Sequence, residues 1–239
     1  MIDLTTNLVT PQDTAQTKSE HQNEVELIGY YGGDITHAQS AWTSTVRDID
    51  EKKMQRLPSL LSMLAENGHE TPFEKSNIHF LVTTDVASHI HIIKHRIGVS
   101  VNAESARYKE LKDDKFYVPQ DWDSEEIHNY ISHLETSLKA YHDTLARLVS
   151  KGMSRKRAKE SARFYLPYGN QLTADVMFNF RSFVHFLRLR YSMHAQIEIR
   201  DIAQKMLEQT VSISGNPFEH TLRAFKLVDD SGSIVPPFK

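Results

Sequence analysis

Between residues 124 and 151 the chain repeats apolar side chains at helical spacing. Ile127, Tyr130, Ile131, Leu134, Leu138, Tyr141, Leu145 and Leu148 all fall on one side. So long an amphipathic stripe has to be buried against other parts of the chain, which fixes helix packing as one element of the fold. Two segments carry the other periodicity. Residues 25–31 read as a strand ended by Gly32-Gly33, and residues 77–84 alternate around Ile78, Phe80 and Val82. Helices are expected over 36–48 and over 51–67, where Met54, Leu57, Leu60, Leu61 and Leu64 recur before Gly68. Further helices are expected over 86–95, from Ser154 to near Pro167, over 175–190 and over 195–211, with a short strand at 115–118 before Pro119. The reading is a single α+β domain over residues 23–228 with more helix than strand. Residues 1–22, rich in Thr, Gln, Asn and Ser, are expected to form a flexible polar tail, and residues 229–239 an irregular C-terminal one.

Composition removes several function classes. The formal net charge of −3 does not favour a general affinity for nucleic acid. No apolar run is long enough to span a bilayer, and the polar N-terminal segment lacks the basic-then-apolar pattern of a secretory leader, so a cytoplasmic location is expected. The chain has no cysteine. Disulfides, thiolate metal sites and cysteine nucleophiles are therefore all excluded.

Four segments carry candidate chemistry. The stretch from Lys94-His95-Arg96 through Asn102-Ala103-Glu104-Ser105-Ala106-Arg107 can bring several hydrogen-bond donors onto one anionic ligand. His89, His91 and His95 precede or open it, but no fourth ligand stands at a convincing spacing, and no metal is expected. The string His69-Glu70-Thr71-Pro72-Phe73-Glu74 reads as a helix start, with Thr71 as the N-cap, Pro72 first in the helix and Glu74 the reciprocal capping partner. Ser161-Ala162-Arg163 closes a helix that already holds Arg155, Lys156, Arg157 and Lys159. That basic cluster is the one argument for a nucleic-acid-binding module. Finally, Asn179, Arg181, Ser182, His185, Arg188 and Arg190 lie opposite Val176, Met177, Phe180, Phe183, Val184 and Leu187 on the helix expected over 175–190. Three arginines and a histidine among bulky apolar groups suit a ligand wall better than a simple surface.

These four strings, in the order they take along residues 69–196, closely resemble the flavin-dependent thymidylate synthases. The resemblance implies that family's fold, a central and mostly antiparallel sheet flanked by long helices. It also implies a homotetramer with active sites shared between subunits. The implied reaction is reductive methylation of dUMP to dTMP, with 5,10-methylenetetrahydrofolate as carbon donor, FAD as hydride carrier and NADPH as reductant. By residue-to-residue match, His91, Lys94, Glu104, Ser105, Ala106, Arg107, Arg163 and Arg190 are substrate-binding positions. His69, Thr71, Glu74, Lys94, His95, Arg96, Asn102, Asn179, Arg181 and His185 are flavin-binding positions, and Arg190 is the catalytic arginine.

Several positions depart from the family pattern. Residues 97–104 put eight residues between Arg96 and Ser105 where the family has seven. The family's Asn-Glu-x-Ser is here Asn102-Ala103-Glu104-Ser105, so its acidic ligand is either lost at Ala103 or supplied by Glu104. Lys94 stands in place of an arginine, His91 in place of a glutamine and His185 in place of the more usual asparagine. Two alternatives remain: a flavin or nucleotide binder without synthase activity, and a nucleic-acid-binding protein using the basic helix that holds Arg155, Lys156, Arg157 and Lys159.

Overall fold

The computed structural model describes residues 21–44, 48–105, 109–110 and 115–239. Its centre is an antiparallel four-stranded sheet in the order β1-β2-β4-β3, formed by β1 (Glu24–Tyr31), β2 (Asn77–Asp85), β3 (Val99–Ala103) and β4 (Gln171–Asn179). In β2 and β4 the buried residues alternate: Ile78, Phe80 and Val82 are paired across the ladder with Phe178, Val176 and Ala174. One sheet face is therefore apolar, as a period of two requires. The helices around the sheet are α1 (Asp34–Trp42), α2 (Glu51–Glu66), α3 (Val86–Ile93), α4 (Ser124–Ser150), α5 (Arg155–Ala162), α6 (Phe180–Arg190), α7 (Ile197–Val211) and α8 (Glu219–Ala224). The apolar sheet face shares one core with Leu57, Leu61 and Leu64 of α2, Phe183, Phe186 and Leu187 of α6, and Ile202, Met206 and Leu207 of α7.

The helix expected over 175–190 is corrected. Its first five residues complete β4, and α6 starts at Phe180. Val176 and Phe180 are four apart, a spacing that suits both a strand and a helix face, and the ambiguity is resolved by partners on both sides. β2 and β3 flank β4 and satisfy its backbone groups, which a helix there would leave to itself. Asn179 marks the change of period, since its side-chain oxygen accepts from the Ser182 backbone N–H at 2.8 Å and caps α6.

Other local expectations also change. Residues 99–103, assigned to no helix or strand from the sequence, form the edge strand β3. Residues 71–75 form a 3₁₀ turn in which Thr71 makes no capping bond, and Glu74 reaches Arg181 instead of the backbone. Phe116 makes a single bridge to Asn170 rather than a strand. The first helix ends at Trp42, and the stretch over which it was expected to continue includes residues outside the described set.

The long helix is present, as α4, and buries Leu134, Leu138, Tyr141 and Leu145. Its C-terminal half packs on α5, where Tyr141, Leu145, Ala158 and Ala162 form a second, smaller core. Near its other end the Tyr130 hydroxyl fills the space that a Cβ on Gly169 would occupy. Of the N-terminal tail, residues 1–20 lie outside the described set; His21 stacks on Phe116, and the Gln22 amide donates to the Val118 carbonyl at 2.9 Å. The C-terminal residues are irregular but attached. The Phe238 backbone N–H donates to the Tyr191 carbonyl at 2.9 Å, and its carbonyl accepts from Met193 at 2.7 Å.

Candidate active site

Two groups of the candidate residues gather at opposite ends of β3. The first surrounds the start of that strand and the whole of α6. The turn before β3 is tied to the α6 N-terminus twice: the Asn179 backbone N–H donates to the Gly98 carbonyl at 2.8 Å, and the Ser182 hydroxyl donates to the Ile97 carbonyl at 2.7 Å. These bonds place exposed Lys94 and Arg96 beside α6. On α6 itself, Arg181 spans two carboxylates, donating from Nε to Glu70 and from Nη1 to Glu74, both at 2.8 Å. Arg188 stands 3.6 Å from Glu70 as well. Sequence reading missed Glu70, although its place four residues before Glu74 is the signal for a two-pronged acceptor.

At the far end of α6, Arg190 Nε donates to His95 Nε2 at 3.2 Å. The His95 ring stands edge-on to Phe186, with centroids 5.0 Å apart, and 5.8 Å from the His185 ring. Burial, together with the charges of Arg190 and His185, pushes the His95 imidazole down to about 4, so it is neutral at neutral pH. Burial also lowers the Arg190 guanidinium from its ordinary value. His91 sits on α3, partly exposed, while exposed His69 leads into the 3₁₀ turn and exposed Thr71 is its first residue.

The second group lines a cleft of about 440 Å³ at the other end of β3. Ser105 and Glu104 enter from the strand end, Arg163 from the turn after α5, and Lys109 and Lys115 from the segment between. Phe164, Leu166, Pro167 and Tyr168 give it an apolar wall. Burial by itself raises the Glu104 carboxyl, but hydrogen bonds from Lys109 and the Thr173 backbone N–H and the charge of Lys115 outweigh it and hold the group below its ordinary value. Glu104 is thus an ionised carboxylate at the cleft, whereas Ala103 packs against the main core. Lys109 and Lys115 were not singled out from sequence; only the fold brings them to Glu104. Ala106 and Arg107 lie outside the described residues. Asn102, on the exposed side of β3, belongs to neither group.

The register sets the separation between the groups. Val99 pairs with Phe178 and Ala103 with Ala174, a span of four residues or roughly 13 Å. The basic cluster on α5 is engaged in ion pairs, Arg155 with Glu110 at 2.6 Å and Arg157 with Glu160 at 3.5 Å. Among the described residues no group of three or more His, Cys, Asp or Glu side chains could hold a metal ion, and no helix is long and apolar enough to cross a membrane.

The family described as thymidylate synthase complementing protein matches residues 26–214. A flavin-dependent thymidylate synthase of Clostridium tetani is 30% identical over 186 residues, covering 73% of each chain. The one of Thermosipho africanus is 31% identical over 198 residues, covering 75% of this chain and 82% of the relative. Among solved structures, a UMP/dUMP methylase from Streptomyces cacaoi bound with 5-Br dUMP superposes with a TM-score of 0.70 at 24% identity, over 86% of this chain and 95% of that one, which extends the likeness to the fold. With a family match over most of its length and relatives sharing close to a third of the aligned residues, this chain belongs to the flavin-dependent thymidylate synthase family.

Proposed function

We propose that this protein converts dUMP to dTMP by reductive methylation, with 5,10-methylenetetrahydrofolate as carbon donor, FAD as hydride carrier and NADPH as reductant. The observation that carries the reading is the convergence of Ser105 and Arg163, 58 positions apart, on one cleft lined both by cations and by aromatic and aliphatic groups. A nucleoside monophosphate has this complementary character: a dianionic phosphate for the cations and a flat base for the apolar wall. Each charge-assisted bond to the phosphate contributes roughly 1.5–3 kcal/mol. Arg163 can engage it as a fork, whereas a lysine acts as a point charge. Glu104, facing the cleft, takes the place of the family's acidic ligand that Ala103 lacks.

The donor set of the first group suits a flavin dinucleotide. Lys94, Arg96 and Arg188 offer cationic groups for a pyrophosphate, and the Asn179, His95 and His185 side chains offer hydrogen bonds for a ring system. When bound, FAD would supply the hydride that completes the new methyl group. The chain's own contribution is charge placement. Without a cysteine to form a covalent adduct, the uracil ring must carry negative charge before C5 can attack the methylene carbon, and the Arg190 guanidinium, brought to the cleft from another subunit, would stabilise that charge at N3 and O4. Ser105, Arg107 and Arg163 of one subunit, with His91 and Lys94 of another, would hold the phosphate and sugar in a reactive orientation. Arg181 would reach the cofactor from its place between Glu70 and Glu74. A homotetramer with sites shared between subunits fits the separation of the two groups along β3.

The test is direct. Purified protein should show flavin absorbance and form dTMP from dUMP, methylenetetrahydrofolate and NADPH. Yellow protein that forms no product would defeat the synthase reading, and protein that binds neither flavin nor dUMP would defeat the site. Light scattering should give four subunits, and a stable, active monomer would refute the shared-site arrangement.

A further inference from the structure

The bond between Arg190 and His95 suggests a role for the histidine that differs from the flavin contact implied for it by resemblance. A guanidinium has five N–H donors, of which Nε–H is one. Here Nε–H is used inside the protein, on His95 Nε2 at 3.2 Å. That leaves both Nη groups as a planar fork directed away from the imidazole, the arrangement that engages two acceptors of a ligand together. For Nε2 to accept, it must carry no proton, so the neutral ring holds its proton on Nδ1.

The imidazole is itself held in place. Its backbone N–H donates to the Ile92 carbonyl at 3.0 Å, and its ring lies edge-on to Phe186, which is fully buried. Arg190 has less support of its own. It is the last residue of α6, where the helix no longer constrains a long flexible side chain. The acceptor at His95 removes that freedom.

We propose that His95 is a positioning residue for Arg190: it fixes the guanidinium by its Nε–H and so presents the Nη fork to the uracil edge of the nucleotide. The proposal rests on the reading that Arg190 meets the uracil.

Four proteins test it as flavin-loaded enzymes: His95→Ala, His95→Gln, Arg190→Ala and the double variant His95→Ala/Arg190→Ala. For each, dUMP affinity is measured by calorimetry, flavin content by absorbance, and kcat and KM by product formation. His95→Ala should weaken dUMP binding and lower kcat at least tenfold while flavin is retained. His95→Gln, whose amide oxygen can accept the same bond, should recover most of the loss. In the Arg190→Ala background, His95→Ala should change dUMP affinity less than twofold. Nitrogen NMR of the wild type should show the Nδ1–H tautomer for His95, a readout that does not depend on any variant folding. Losses that multiply in the double variant, an Nε2–H tautomer, or flavin loss as the sole effect of His95→Ala would overturn the proposal. If Arg190→Ala is inactive but His95→Ala behaves as wild type, only the positioning role falls. If Arg190→Ala binds and converts dUMP normally, the reading of Arg190 falls and the positioning role with it.

Discussion

The Asn179 backbone N–H donates to the Gly98 carbonyl at 2.8 Å and, with the Ser182 hydroxyl on the Ile97 carbonyl, joins the turn before β3 to the junction of β4 and α6. Asn179 serves both sides, because its side chain also caps α6. The position of Lys94, His95 and Arg96 therefore depends on where β4 ends.

Gly98→Ala should break this joint. Gly98 has φ of +66°, and an added Cβ would collide with the Asn179 amide and the Ser182 hydroxyl. A strained position of this kind costs about 1–3 kcal/mol. Urea unfolding should show a lower midpoint, with flavin affinity reduced as well. A midpoint equal to wild type would mean that the turn adapts without cost.

Arg163→Ala should separate binding from stability. Arg163 is exposed at the mouth of the cleft, so its removal should change stability by less than about 0.5 kcal/mol. Loss of a phosphate contact of roughly 1.5–3 kcal/mol should raise the KM for dUMP about 10- to 150-fold. Steady-state kinetics with varied dUMP decides it, and an unchanged KM would remove Arg163 from the nucleotide site.

His37 gives a prediction about pH. It is fully buried, with Nδ1 2.9 Å from the Thr221 hydroxyl and Nε2 2.6 Å from the Ser76 hydroxyl. Burial lowers its imidazole to about 3 from an ordinary 6.5, so the unfolded chain takes up a proton that the folded one refuses. Stability is fully present above pH 6.5 and is lost as pH falls toward 3, with a limiting slope of about 1.4 kcal/mol per pH unit from this one group. Asp34, raised by burial, acts in the opposite sense as pH rises above its ordinary 3.8. Thermal melting between pH 7 and 5 should therefore show a falling midpoint, and His37→Ala should flatten that dependence while lowering stability by about 2–4 kcal/mol. An equally steep pH dependence in the variant would assign it to other groups.

Gly169→Ala tests how the α4–α5 pair is attached. The added methyl would displace the Tyr130 hydroxyl from its place against the loop that lines the cleft. Because α4 and α5 have a small core of their own, hydrogen exchange should accelerate at the Tyr130 end of α4 and in the Gly169 loop, with the sheet unchanged. Uniform acceleration across β2 and β4 would show instead that the hairpin and sheet unfold together.

Local patterns made β1, β2, α2 and α4 legible, because each has enough apolar residues at one period to identify both its type and its buried face. The same reasoning misread β4. Val176, Phe180, Phe183, Val184 and Leu187 satisfy a helical face, while Ala174, Val176 and Phe178 satisfy a strand. The cap signal at Asn179 was available in the sequence, but choosing it over an unbroken helix required knowing that β2 and β3 stand on either side.

For the site, the sequence by itself determined the chemistry: which cations, hydroxyls and carboxylates exist, that no cysteine does, and that four strings match one family in order. Tertiary structure decided how they are grouped. It sent Ser105, Glu104 and Arg163 to one end of β3 and His95, Arg181 and Arg190 to the other, and it placed Glu70 and Glu74 around Arg181. The physical reason is that local sequence fixes torsions and side-chain periodicity, whereas strand pairing is a contact between segments distant along the chain. Residues 99–103 and 174–178 lie about 75 positions apart, and only the backbone hydrogen bonds of β4, satisfied on both edges, bring them into register.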